Sequence, residues 1–346
     1  MPSVTSGSVL VTGASGYIGA WVVKYLVDQG FSVVVAIRND QQGEFIKNRF
    51  PEYKGKVSHI NVPDIQQEGA YDEAVKGVDA IIHTASPACE CRSISASPLA
   101  HAFCLCSEII GPAVKGATGI LKSAQKFGTN VKRVVLTSST SAIHDYQYAG
   151  DNVSFDENVW NTNVLEMVHD KSSSPWSVYQ TAKTLAEKAA FAYVKDNQPA
   201  YDLVTIQPSY NYGPIIHQTG KELGSTPGMF ISTFASPDTT GKLIGDWVDV
   251  RDTAELHVLA LQNQAIGGER LMTTTGLFAW QDLYDVLNDV GYDAPGKDTK
   301  GAGKNKRNVP VLNNKTFKYF PEFKYRSLEE SVREMGVDLK ARGYIN

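Results

Sequence analysis

Two side chains in this sequence are spaced to move a proton: the Tyr179 phenol and the Lys183 ammonium of Tyr179-Gln-Thr-Ala-Lys183. The stretch they open, Tyr179 to Val194, carries Ala182, Leu185, Ala186, Ala189 and Tyr193 at helical spacing. Residues four apart on a helix share a face and lie within reach of each other. A free phenol titrates near pH ~10. A fixed cation beside it favours the phenolate and brings it toward the working range of a general acid or base. Tyr and Lys four apart also decorate many solvated helix faces, so the pair gains meaning only from its surroundings.

The elements that would position such a pair begin at the N-terminus. Ser8-Val-Leu-Val-Thr12 reads as a short apolar strand and Gly13-Ala-Ser-Gly16-Tyr-Ile-Gly19 as a glycine turn. Ala20 to Asp28 follows as a helix, Gly30 sits where a helix C-cap would, and Phe31 to Ile37 is a second apolar strand. A glycine turn flanked in this way fits a βαβ dinucleotide site. Glycines let the backbone turn tightly and approach a pyrophosphate, whose charge the helix N-terminus meets. Gly13, Ser15, Gly16, Tyr17, Ile18 and Gly19 are therefore candidate cofactor contacts.

The end of the second strand selects between nicotinamide cofactors. NAD sites place an acidic residue there for the ribose hydroxyls, whereas this chain has Ile37 followed by Arg38. A guanidinium can grip a 2′-phosphate through paired charge-assisted hydrogen bonds. The expectation is NADP. Val57 to Val62 reads as a third strand leading to Asp64 and Ile65, candidates for the adenine edge. Tyr71 to Lys76 reads as a short helix and Ala80 to Thr84 as a fourth strand running into Ala85-Ser86-Pro87. Alternating strands and helices predict an α/β fold with a Rossmann-type doubly wound parallel sheet.

Composition narrows the classes. At 346 residues the chain can bury a full core, as two domains or as one with an appended lobe. A net charge of −4 gives no reason to expect nucleic acid or an acidic membrane. The basic run Lys297 to Arg307 lacks aromatic interleaving and reads as a solvated loop. No apolar run is long enough for a membrane span, and Met1 to Val9 lacks the features of a signal peptide. A reduced, cytoplasmic setting is expected.

With these pieces placed, the chain resembles the extended short-chain dehydrogenase/reductases, specifically their dihydroflavonol-reductase-like branch. The resemblance rests on Thr12-Gly-Ala-Ser-Gly-Tyr-Ile-Gly19, His83-Thr-Ala-Ser-Pro87, Pro112-Ala-Val-Lys-Gly116, Leu136-Thr-Ser-Ser139, Tyr179-Gln-Thr-Ala-Lys183 and Trp247-Val-Asp-Val-Arg-Asp252. Within the branch, Ser139-Thr-Ser-Ala and the segment around Tyr179 look most like fungal NADPH-dependent aldehyde and ketone reductases. The resemblance implies that Ser139 and Tyr179 hydrogen-bond a substrate carbonyl, with Tyr179 the proton donor. It also implies that Lys183 binds the nicotinamide ribose, and that Ser138 is structural. Thr84, Ala85, Ser86, Pro208 and Ser209 would line the cofactor, and Thr226 or Ser225 would touch its pyrophosphate.

The implied organisation is a dinucleotide-binding domain over residues 1–207, completed by about 246–274, with a substrate lobe formed by 208–245 and 275–346. In that lobe Tyr210, Met229, Phe230 and Phe234 are candidate pocket walls, with ordinary core packing the equal alternative. Asp145 to Ser174 is polar and irregular, with a short helix at Val164 to Val168 over the active site. Asp252 to Leu261, Trp280 to Val290 and Ser327 to Met335 read as helices, the last opened by the capping box Ser327-Leu-Glu-Glu330. Glu269 to Thr273 is a last strand.

Two departures from the family stand out. Relatives carry an Asn that holds a relay water where this chain has Gly119. Between Pro87 and Glu108 the chain is longer than the family pattern, and Cys89, Cys91, Cys104 and Cys106 all fall there. Zinc sites space paired cysteines about two to four residues apart, so these Cys-x-Cys units predict reduced thiols and no metal. The expected protein is an NADPH-dependent carbonyl reductase with a small-molecule substrate, acting as a monomer or homodimer. A sugar-nucleotide epimerase or dehydratase is one rival. Those dehydratases carry an Asp-Glu pair where this chain has Ser139-Thr140 and mostly use NAD. A non-catalytic NADP sensor is the other, and such proteins typically lose the Tyr/Lys pair.

Overall fold

The computed structural model describes residues 3–51, 55–86, 109–144, 155–167, 174–220, 223–303 and 312–346. The four cysteines, and with them the expectation of reduced thiols without metal, lie outside the described residues.

In chain order the strands are β1 (Ser8–Thr12), β2 (Ser32–Ile37), β3 (Val57–Asn61), β4 (Ala80–His83), β5 (Arg133–Thr137), β6 (Asp202–Pro208), β7 (Tyr210–Tyr212), β8 (Leu243–Asp249), β9 (Arg270–Thr273) and β10 (Gly276–Ala279). Seven of them form a parallel sheet in the order β3-β2-β1-β4-β5-β6-β9. Such a sheet is covered on both faces, which is why its strands read as continuous apolar runs. Val9 and Val11 enter one core with Val33 and Val35, while Leu10 points to the other with Ile81 and Val134, as the two-residue repeat of a strand requires.

The helices are α1 (Tyr17–Asp28), α2 (Asp40–Arg49), α3 (Gly111–Phe127), α4 (Asn163–Met167), α5 (Pro175–Asn197), α6 (Ser225–Ser232), α7 (Val250–Gln262), α8 (Trp280–Asp289), α9 (Asn314–Tyr319) and α10 (Leu328–Ala341). α1 packs on α7 against the first core, and α3 packs on α5 against the second. Among the described residues no helix is long and apolar enough to cross a membrane.

A second sheet, in the order β10-β8-β7, was not expected from the sequence. β8 lies in it, pairing with β7 in parallel and with β10 antiparallel. Only from Val250 does the chain return to the large sheet, through α7 and β9.

Two other expectations are corrected. Residues 71–77 form turns instead of a helix. Gly69 and Gly77 bracket them, both at φ +73°, and so short a segment does not offset the cost of helix nucleation. The second concerns α5, which starts at Pro175, so Tyr179 lies in its second turn. Ser174 caps it, its Oγ accepting from the Ser177 N–H at 3.1 Å, with proline at the first helical position. α10 begins as expected, Ser327 Oγ accepting from the Glu330 N–H at 3.2 Å, but runs on to Ala341.

Candidate active site

The parallel register brings the carboxyl ends of β1, β2 and β4 together, with Thr12 level with both Ala36 and His83. Ligands bind at this edge of open α/β sheets. Here it opens into a cleft of about 530 Å³. It is lined by Gly13, Ser15 and Gly16 after β1, Arg38 and Gln42 after β2, Asp64 and Ile65 after β3, and Thr84, Ala85 and Ser86 after β4.

The turn is held by its own chemistry. Gly13 sits at φ +68°, and a Cβ there would lie 2.7 Å from the Ala85 nitrogen, so only glycine fits. A Cβ on Gly19 would come 2.2 Å from the Gly13 oxygen. Thr84 Oγ1 donates to the Thr12 carbonyl at 2.7 Å, and the Ala85 N–H donates to Thr12 Oγ1 at 3.2 Å. Gly16 caps α1 without a side chain, leaving first-turn amides for an anion. Tyr17, Ile18 and Gly19 do not form the cleft wall. Tyr17 is buried, its hydroxyl donating to the Gly213 carbonyl at 2.6 Å.

After β2, Arg38 is exposed, and its backbone N–H donates to Gln42 Oε1 at 3.2 Å. The nearby Asp40 carboxylate is engaged by Asn61 Nδ2 at 2.8 Å and by His59 Nε2 at 3.1 Å. A free cation, a glycine cradle and an uncapped helix end fit a dinucleotide carrying a 2′-phosphate. Gln42 was not singled out from the sequence. Its place one turn beyond Arg38, in the first turn of α2, is the local signal that could have found it.

Lys183 borders a second, smaller space of about 20 Å³, room for about one water, which shares Ala85 and Ser86 with the cleft. Its Nζ stands 5.9 Å from the Tyr179 ring centroid. His83, Thr137, Ser138 and Glu187 also line this space. Burial, and then the Lys183 cation, push the His83 imidazole down to about 3, so it is neutral across the physiological range. On α3 the wall is made by Ala113 and Ala117. Gly119 is not among the residues lining the space beside Lys183.

The two serines after β5 diverge. Ser138 Oγ donates to Glu187 Oε2 at 2.7 Å. Ser139, 8% exposed, starts the turn Thr140–Ala142 and accepts from the Ser141 N–H at 3.1 Å. α5 packs against that turn. Pro208 ends β6, and Ser209 bonds the Thr273 carbonyl at 3.2 Å through both its N–H and its Oγ. The Thr226 hydroxyl donates to the Asn211 carbonyl. Neither space has Pro208, Ser209 or Thr226 in its wall. Of the lobe's candidate pocket walls, Phe230 is fully buried and stacks with Trp280 and Tyr284, so it is core, while Met229 is 42% exposed.

The profile of the NAD dependent epimerase/dehydratase family matches residues 9–271. The chain belongs to that family. Among its members, the NADPH-dependent methylglyoxal reductase GRE2 of Saccharomyces cerevisiae is 32% identical over 356 residues, covering 98% of this chain and 100% of the relative. Ketoreductase azaE of Aspergillus niger is 32% identical over 81% of each chain. The crystal structure of the yeast methylglyoxal/isovaleraldehyde reductase Gre2 complexed with NADPH superposes with a TM-score of 0.84. That superposition has 29% identity over 98% of this chain and 100% of that one. The family is named for epimerases and dehydratases, so membership alone does not fix the reaction.

Proposed function

We propose that this protein reduces an aldehyde or ketone to the corresponding alcohol, using NADPH. The observation that carries the reading is the pair Tyr179 and Lys183 on one face of α5, with Lys183 bordering a small space that shares Ala85 and Ser86 with the cleft lined by Gly13 and Arg38. The Saccharomyces and Aspergillus relatives, named for methylglyoxal and ketone reduction, support it. When bound, NADPH supplies a hydride to the carbonyl carbon. This chain's residues do the remainder. Ser139 Oγ and Tyr179 Oη hold the carbonyl oxygen, and Tyr179 passes its phenolic proton to that oxygen as negative charge develops there. The Lys183 ammonium holds the nicotinamide ribose.

In this reading Gly13, Ser15 and Gly16 cradle the pyrophosphate, Tyr17, Ile18 and Gly19 offer it the backbone N–H groups of the first turn of α1, and Thr226 touches it. Asp64 and Ile65 flank the adenine, and Thr84, Ala85, Ser86, Pro208 and Ser209 the nicotinamide half. Residues 1–207, completed by 250–274, form the cofactor domain in this reading, and 208–249 with 275–346 the substrate lobe, since β8 pairs with β7 and β10. The reading needs only a small-molecule carbonyl partner, and we take the protein to act in the cytoplasm as a monomer or homodimer.

NADPH oxidation, followed by absorbance, tests the reaction against a panel of aldehydes, ketones and sugar nucleotides. Consumption with carbonyl compounds is expected. Turnover confined to sugar nucleotides would support epimerase or dehydratase chemistry, and no turnover at all a sensor.

The 2′-phosphate reading gives a separate expectation. Arg38→Ala removes the cation at the cofactor's adenosine end, so NADPH should bind at least about tenfold more weakly while NADH affinity stays unchanged. Ile37→Asp with Arg38→Ala should turn the preference toward NADH. Fluorescence titration with both cofactors measures this, and equal losses for the two would assign Arg38 a structural role.

A further inference from the structure

We propose that Trp176 is a specificity-determining residue of the substrate pocket, selecting flat conjugated or aryl carbonyl compounds over short aliphatic ones. The inference rests on the carbonyl-reductase reading and adds a residue to it.

Trp176 lies in the first turn of α5, three residues before Tyr179 and so on its face of the helix. The capped start of α5 fixes where the indole sits. Its ring stacks on the Tyr179 ring, with centroids 5.4 Å apart and planes 22° apart. It stacks equally on Tyr210 of β7, at 6.0 Å and 23°. Tyr210 in turn meets Phe278 of β10 edge-on at 5.4 Å. One aromatic series therefore runs from the small sheet, through the indole, to the phenol assigned as proton donor.

Burial along the series is graded. Phe278 is fully buried, whereas Tyr210, Trp176 and Tyr179 are each half-buried. A core cluster would hide all of its rings. Here the stack emerges from the core, and its last three rings are half-buried. A carbonyl oxygen within hydrogen-bond reach of Tyr179 brings its substituents to within a few ångströms of the neighbouring indole, because the two rings are so close. A flat π-system gains offset stacking on such a wall, and a methyl group gains little. Trp also presents this area with few rotatable bonds, so little entropy is lost when substrate binds.

A purely structural role for Trp176, bracing the Tyr179 ring, makes different demands. It would affect every substrate alike and would disturb proton transfer. The discriminating pair is methylglyoxal and phenylglyoxal, the same 2-oxoaldehyde with methyl exchanged for phenyl. Steady-state kinetics with saturating NADPH should be measured for the wild type, Trp176→Ala and Trp176→Phe, with NADPH titration of each variant to establish that it is folded.

For Trp176→Ala, KM for phenylglyoxal should rise about tenfold, the scale of one lost ring stack. kcat/KM for methylglyoxal should fall about fivefold less than that for phenylglyoxal, and the pH profile of its kcat should not move. Trp176→Phe should recover most of the phenylglyoxal loss. Equal losses on both substrates, a displaced pH profile, or faster phenylglyoxal reduction by Trp176→Ala would each overturn the inference. Wild-type protein that oxidises NADPH with neither compound, nor with any other carbonyl, would overturn the carbonyl-reductase reading and this inference with it. A wild type that reduces both compounds with no dependence on Trp176 would overturn the inference alone.

Discussion

Tyr179→Phe is expected to lower turnover at least about a hundredfold, the low end for general acid catalysis, with NADPH affinity unchanged. The substitution is a narrow one. Phenylalanine keeps the ring that stacks on Trp176 at 5.4 Å and the half-buried packing of the second turn of α5. Only the hydroxyl is lost, and with it the proton for the nascent alkoxide. Lys183 and the cleft from Gly13 to Arg38 are untouched, so cofactor titration should superimpose on that of the wild type. The loss should fall on kcat and kcat/KM together, as for an interaction made chiefly in the transition state. A variant that keeps more than about a tenth of wild-type turnover with a good carbonyl substrate would mean that the proton comes from elsewhere.

What could be read in the sequence was local, and what could not be read was assembled from a distance. The Gly13 turn, the strand before it and the helix after it announce themselves within a few residues, through glycine spacing and apolar runs. Ser8 to Thr12 reads as a strand over the same five residues that form β1, because its interior Val9-Leu10-Val11 is an unbroken apolar run. The Tyr179/Lys183 pair was legible for the same reason, since one helix carries both residues. The true start of α5 was not. Ser174-Pro175-Trp176-Ser177 has no apolar periodicity, so Trp176 went unnoticed until the rings of β7 and β10 came to meet it. β7 and β10 are three and four residues long, too short for a periodic signal. The hydroxyl of Tyr17 finds its partner 196 residues away at Gly213, a pairing no window along the chain could reveal.

Glu187 is the extreme case, and it carries the second large expectation. It lies one turn beyond Lys183 on α5 and is 1% exposed. Its carboxylate accepts from Ser138 Oγ at 2.7 Å, from Thr205 Oγ1 at 2.7 Å and from Gln207 Nε2. Arg270 Nε and Nη2 complete the set at 3.0 and 3.3 Å. Arg270 also donates to the Glu157 carbonyl at 3.0 Å, and its guanidinium lies 3.6 Å from the Trp160 ring centroid. One buried carboxylate thus ties α5 to β5, β6 and β9, beneath the catalytic face. Glu187→Ala removes the negative charge and leaves the Arg270 cation buried, which should cost about 3–5 kcal/mol. Urea unfolding should show a lower midpoint with an unchanged slope. Replacing both partners, as Glu187→Leu with Arg270→Met, should recover much of that loss, because an apolar pair leaves no charge unpaired. A single-variant loss under about 1 kcal/mol, the range of exposed ion pairs, would show that water reaches Glu187 and that the cluster does not anchor α5.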